Sequence, residues 1–364
     1  MEDRLIVDAH QDLAWNMLSY GRDYTRSVTE TRRLEAESDS LALKRQGHTL
    51  LGWPEYQQGR VSLVFGTLFV TPARLKLEHE TIFYNDPEGA YRLYRQQLET
   101  YYELTDRHPD KFTLVCSRAN LTAVLNHWKQ TSFQTHPVGI VPLMEGAEGI
   151  RTPADLEEWW EAGLRIIGLA WAGNRYCGGT REPGPLTDEG RALLKAMADF
   201  GFLLDISHMD EPAARQALDR YPHAVIATHA NVAALILEYS GNRHLSDDVL
   251  RALIEREAVI GLVPTCRFLD YRWQRGHPRE QVSFARVVDH IDYICQMAGS
   301  ARHVGLGSDF DGGFGVESVP AEIDNIADLQ KIVPILQARG YTEEDIALIL
   351  GGNWIRILQQ YLPQ

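Results

Sequence analysis

The side chains with the chemistry to act stand at the ends of apolar runs. His10 and Asp12 close the first run, in LIVDAHQD. Successive side chains of a strand alternate faces, so these two, at i and i+2, share a face and can grip one cation. Two donors do not define a transition-metal site, and further donors close later runs: Glu145 in IVPLMEG, His208 in LLDISH, His229 in VIATH and Asp309 in VGLGSD. His10, Asp12, Glu145, His208 and His229 outnumber the three or so protein ligands of one catalytic zinc. A two-metal site with a shared carboxylate is therefore the economical reading. Glu145 falls between the two groups and its two oxygens can each hold one cation. Water between the cations, its pKa brought down towards ~7, is the expected nucleophile. Asp309 is the remaining carboxylate, placed to accept the proton and pass it to the leaving group. Asp311, in the same DFDGG segment, reads as a turn former.

The elements that must position these residues follow from hydrophobic patterning. Nearly continuous apolar runs, expected where both faces of a sheet are covered, occupy residues 5–12, 61–70, 138–144, 164–170, 202–207, 224–228, 259–263 and 304–307. Helical patterns alternate with them over 88–107, 153–162, 187–200, 211–220, 246–256 and 284–297, with Thr187 and Ser246 as capping residues. Eight buried strands alternating with helices predict a single α/β domain over residues 1–364, a (β/α)8 TIM-type barrel, whose site gathers at the strand ends. Residues 112–116 form a ninth, weaker strand candidate in an insertion after strand two. Residues 20–40 read as polar and turn-rich, and 41–52 as a short helix and turn with little core. Residues 326–362, helical on both sides of Gly351 and Gly352, are expected to close the outer layer.

With 364 residues, 44% hydrophobic content and a net charge of −14, the chain can bury a large core and is a poor partner for nucleic acid. The start MEDRLIVDAHQD has no apolar h-region and the end ILQQYLPQ no anchor signal, so a cytoplasmic protein without membrane attachment is expected. Cys116, Cys177, Cys266 and Cys295 are scattered, which suggests neither a disulfide framework nor a thiolate zinc site. The sequence sets no oligomeric state, and a homodimer is compatible with it.

In order along the chain, DAHQD, MEG at Glu145, DISH at His208, ATHAN at His229, NRHLSDDVLR around Arg243 and GLGSDFDGG around Asp309 resemble the membrane (renal) dipeptidase family of the amidohydrolase superfamily. The resemblance spans nearly the whole chain. It implies a TIM-type barrel with two zinc ions that hydrolyses dipeptides. One zinc would be held by His10, Asp12 and Glu145, and the other by Glu145, His208 and His229. Asp309 would be the acid/base, and Arg243 would bind the substrate carboxylate. Independently, Arg243 lies on the loop after the sixth strand, where a guanidinium fork could hold a carboxylate; a surface pair with Asp247 or Asp248 is the competing reading. One departure stands out: where the mammalian pattern has a substrate-contacting histidine after strand four, GLAWAGN places Trp171, whose indole can donate one hydrogen bond but carries no charge. The family's disulfide and lipid anchor have no counterpart here.

The runner-up is another binuclear amide or lactone hydrolase of the superfamily. Relatives bridged by a carbamylated lysine fit less well, because Lys44, Lys76, Lys111, Lys129, Lys195 and Lys331 all avoid the expected strand ends. The alternative from a different class is a metal-stabilised binding protein in which Trp171 has cost catalysis.

Overall fold

The apolar runs become the strands of one sheet. The computed structural model describes residues 4–130 and 134–364. Its barrel strands are β1 (Ile6–Gln11), β2 (Val61–Phe69), β3 (Val138–Glu145) and β4 (Ile166–Gly168), followed by β5 (Leu203–Asp205), β6 (Val225–Ile226), β7 (Ile260–Leu262) and β8 (Val304–Leu306). They pair in parallel in the order β6-β5-β4-β3-β2-β1-β8-β7. A parallel bridge between Ala227 and Ile260 joins the two ends, with Gly261 N–H donating to the Ala227 carbonyl at 2.8 Å. The result is a nearly closed barrel of eight parallel strands, the TIM-type architecture. Closure is tight here: a Cβ at Gly261 or Gly307 would lie 1.9 or 1.8 Å from the Thr228 carbonyl oxygen, so only glycine lets these strands approach.

Every residue of β2 and β3 is buried, as strands covered on both faces require. The ninth strand, Phe112–Leu114, pairs with the start of β3 from within the insertion after β2. The helix Pro87–Arg107, capped by Asp86, buries Tyr94, Leu98 and Tyr101. Its aromatic stripe is core, yet its hydroxyls reach functional backbone: Tyr101 donates to the Thr67 carbonyl and Tyr94 to the Glu145 carbonyl, each at 2.8 Å.

Three segments depart from expectation. Residues 20–40 hold a helix, Val28–Ala36, opened by the Ser27 cap. Leu50 and Leu51, expected to add little core, are fully buried. The cause is Asp311, which is no simple turn former. It is itself fully buried. Its carboxylate pairs with Arg22 at 3.0 Å and accepts from Tyr24 (3.0 Å), Thr49 (2.6 Å) and Leu50 N–H (2.9 Å), fastening this segment to the end of β8. Finally, an antiparallel hairpin, Cys177–Gly179 with Glu182–Leu186, rises from the loop after β4.

Towards the C-terminus, a π-helical turn, Leu348–Gly352, sits between the helices Glu343–Ala347 and Asn353–Tyr361. A Cβ on Gly351 would meet the Leu5 carbonyl oxygen at 2.7 Å, so the glycine lets this turn press on the start of β1. Among the described residues no helix is long and apolar enough to cross a membrane, and all four cysteines are free.

Candidate metal centre

The carboxyl ends of β1, β3, β5, β6 and β8 deliver His10, Asp12, Glu145, His208, His229 and Asp309 to one place. Glu145 Oε1 is the centre of the cluster, 3.1 Å from His208 Nε2, 3.3 Å from His229 Nε2 and 3.6 Å from His10 Nε2. Two donor sets within coordinating reach share Glu145: His10, Asp12 and Glu145, and Glu145, His208 and His229. A third set, His10, His229 and Asp309, brings the last carboxylate to the edge of the cluster, with Asp309 Oδ1 4.0 Å from His10 Nε2.

The far side of each imidazole is fixed by hydroxyls. Thr228 gives its proton to Asp205 at 2.5 Å, so it accepts from His229 Nδ1 at 2.9 Å. Thr180, at the tip of the hairpin after β4, lies 2.9 Å from His208 Nδ1. Both Nε2 atoms thereby face inward, and they stand only 2.9 Å apart. Two of the site residues, His208 (φ 67°) and Asp309 (φ 59°), adopt left-handed backbone that costs a non-glycine residue energy, the kind of strain that clusters at functional sites.

The electrostatics are those of a buried cluster of opposed charges. Burial opposes charge on Glu145, yet the charge of His10 and the hydrogen bonds of His208 and His229 hold its carboxyl well below the usual range. Burial likewise opposes charge on His10, but Glu145, Asp12 and Asp309 hold its pKa up at about 9. Burial and the Glu145 charge push Asp12 up to about 6. Asp309 is pushed well above the carboxylate range by burial, with Asp12 and Glu145 adding to the effect. His208 is brought down to about 4 by burial and by Arg243, and His229 falls well below its usual value by burial, His10 and Arg243. Neutral His208 and His229 beside a charged Glu145 are donor forms a divalent cation needs. His10 Nε2 is buried with no hydrogen-bond partner among the described residues, an orphan a metal ion would satisfy. The donor set thus fits a metal pair.

Arg243 is buried beside the cluster, where its Nη2 donates to the His229 carbonyl at 2.7 Å while Nη1 is buried without a partner among the described residues. Asp247 and Asp248 pair instead with Arg251 and Arg215, so the surface ion pair is not where this arginine is used. Trp171 borders the cluster, its ring 6.2 Å from that of His208 and 5.1 Å from that of Phe69. Sequence reading missed Thr180, Asp205 and Thr228. Thr228 directly precedes His229 and Asp205 ends β5, which is the one signal that could have marked the latter pair.

The family model of the membrane dipeptidases (peptidase family M19) matches residues 1–362. An uncharacterized protein of the pqqA 5′ region of Klebsiella pneumoniae is 32% identical over 237 residues, 62% of this chain and 83% of that one. The dipeptidase aclJ of Aspergillus oryzae is 25% identical, over 97% of this chain and 77% of its own. Among solved structures, a metallopeptidase from Rhodobacter sphaeroides, liganded with a phosphinate mimic of L-Ala-D-Ala, shares the fold. Its TM-score is 0.76 at 22% identity, covering 98% of this chain and 99% of that one.

Proposed function

Since the chain belongs to the membrane dipeptidase family and is with it a metal-dependent dipeptidase, we propose that it hydrolyses dipeptides with a free C-terminal carboxylate at a two-zinc centre. The observation that carries this reading is the pair of donor sets joined at Glu145. His10, Asp12 and Glu145 would hold one ion, and Glu145, His208 and His229 the other, all from a single chain. When bound, the ions would supply Lewis acidity and an acidified water. Asp309, at the cluster edge, takes the proton of the attacking water and returns it to the leaving amine. Arg243, with a buried nitrogen unpaired among the described residues, holds the substrate carboxylate. Trp171 flanks the substrate but offers no charge to an oxyanion, which leaves that task to the metals. We place the protein in the cytoplasm; its four free cysteines suit a reducing compartment.

The test is zinc-reconstituted protein assayed on dipeptides of both chiralities, on their C-terminal amides and on lactones. Turnover confined to free dipeptides with two ions per chain supports the reading. Lactone or general amide turnover in preference would replace it with the broader binuclear hydrolase.

A further inference from the structure

The loops after β4, β5 and β6 meet at one side chain to which no role has been given, Asn242. Its amide grips both peptide groups that flank Thr180, at the tip of the hairpin after β4. Oδ1 accepts from the Arg181 N–H at 3.1 Å, and Nδ2 donates to the Gly179 carbonyl at 2.9 Å. The other Nδ2 hydrogen goes to the Asp210 carboxylate at 2.8 Å. An acceptor on one side and two donors on the other are what these three partners require, and a primary amide supplies both.

Two local departures mark the junction. Arg181 holds left-handed backbone (φ 68°), which costs a non-glycine residue energy, and Asn242 fastens its N–H. Asp210 stands at the N-cap of the helix Glu211–Arg220, where a carboxylate would ordinarily cap the first turn, yet it makes no such bond. Buried two residues beyond His208, it turns its oxygens to Asn242 and, at 2.8 Å, to the Gly184 N–H of the hairpin. Local stability set aside in this way is expected where function needs the geometry.

The neighbours of Asn242 lead to the metal centre on one side and to the clamp on the other. Thr180, bracketed by its amide, lies 2.9 Å from His208 Nδ1. Arg243, next in sequence, carries the guanidinium whose Nη2 donates to the His229 carbonyl. Within that loop the Tyr239 hydroxyl accepts from the N–H groups of Arg243 and His244, and at its base Val232 bridges to Leu245. The loop is thus braced in itself, and Asn242 ties it to the hairpin.

Resting on the two-metal dipeptidase reading, we propose that Asn242 is a positioning residue that holds the clamp Arg243 and the metal ligand His208 in register, acting on His208 through Thr180. The experiment compares wild type with Asn242→Ala and with the near-isosteric Asn242→Asp, which keeps the acceptor for Arg181 but turns an oxygen towards the Gly179 carbonyl and the Asp210 carboxylate. Zinc affinity is measured by chelator competition, for each variant alone and combined with Thr180→Val. At saturating zinc, kcat and KM are then measured on a dipeptide and on its C-terminal amide.

Both variants should weaken one ion of the pair roughly 10- to 100-fold and leave the other in place, the scale for losing a group that orients a metal-binding histidine. Added to Thr180→Val, Asn242→Ala should weaken zinc by less than about twofold more, because the two act through the same imidazole. The ratio of kcat/KM on the dipeptide to that on the amide should fall several-fold, since the amide has no carboxylate for Arg243 to hold. A side chain that served stability alone would lower both substrates together and leave that ratio unmoved. Unchanged zinc affinity, losses that multiply with Thr180→Val, or an unchanged ratio overturns the assignment. Wild type that binds zinc and cleaves no dipeptide would instead strike the dipeptidase reading, and the zinc measurements would then decide the place of Asn242. Should the alanine variant fail to fold, the near-isosteric aspartate decides.

Discussion

Arg243→Lys tests the substrate clamp most directly. The arginine is buried, its Nη2 is committed to the His229 carbonyl at 2.7 Å, and Nη1 is buried without a partner among the described residues. A substrate carboxylate at Nη1 would gain one charge-assisted hydrogen bond that is absent from the free enzyme. Such a bond contributes roughly 1.5–3 kcal/mol, which at ~1.4 kcal/mol per decade is about ten- to a hundredfold in kcat/KM. Lysine keeps the charge but cannot serve the His229 carbonyl and the substrate together in the guanidinium's planar geometry, so it should lose most of that factor. Amidating the dipeptide removes the charge from the other side and should cost wild type a similar factor. The assay is a cycle: wild type and variant, each with a dipeptide and its amide, with kcat and KM measured separately and bound zinc quantified. If arginine and carboxylate meet, the amide penalty seen in wild type nearly vanishes in the variant. Penalties that multiply, or equal rates on acid and amide in wild type, would refute the clamp.

Other residues separate in their expected readouts. Glu145→Gln should weaken both metal positions together, since one carboxylate serves both sets; loss of a single ion on equilibrium dialysis would contradict its bridging place. Asp309→Asn should retain the metals and lower kcat by roughly 10² or more, the scale for removing a positioned proton carrier. Unchanged turnover with full zinc would strike Asp309 from the mechanism. Thr180→Val removes the oxygen that fixes His208 Nδ1 and should cost roughly 10- to 100-fold in affinity for one ion of the pair. The check is competition with a chromogenic chelator, and an unaltered affinity would show that the backbone alone orients the ring.

The barrel and the donors were legible because their signals are local. A strand carries its own apolar run, and its last residues carry the chemistry, so His10, Glu145, His208, His229 and Asp309 could be placed by reading where each run stops. Thr180 could not. It meets His208 only because the hairpin Cys177–Gly179/Glu182–Leu186 folds over the end of β5, and Gly179 bridges to Met209. Nothing in the run GGTREPG states that contact. Asp311 was misread for a related reason. Its neighbours in sequence are turn residues, while the partners that bury it, Arg22, Tyr24 and Thr49, come from the opposite end of the chain.

That same end-to-end wiring bears on when the enzyme can come into being during synthesis. β1 carries His10 and Asp12, but in the sheet it lies between β2 and β8, and the glycine-containing π-turn at Leu348–Gly352 backs onto its start. Ser308 N–H reaches the buried Asp8 carboxylate at 2.6 Å across 300 residues of sequence. β1, made well before β8, therefore has one edge and part of its back uncovered until β8 and the π-turn have emerged. Contacts of such separation are slow to form and leave apolar edges open to wrong partners in the meantime. Of the two donor sets, His10, Asp12 and Glu145 come from the first three strands, whereas His208 and His229 come from the fifth and sixth. The set that joins Glu145 to His208 and His229 is therefore the later of the two to have all its residues made.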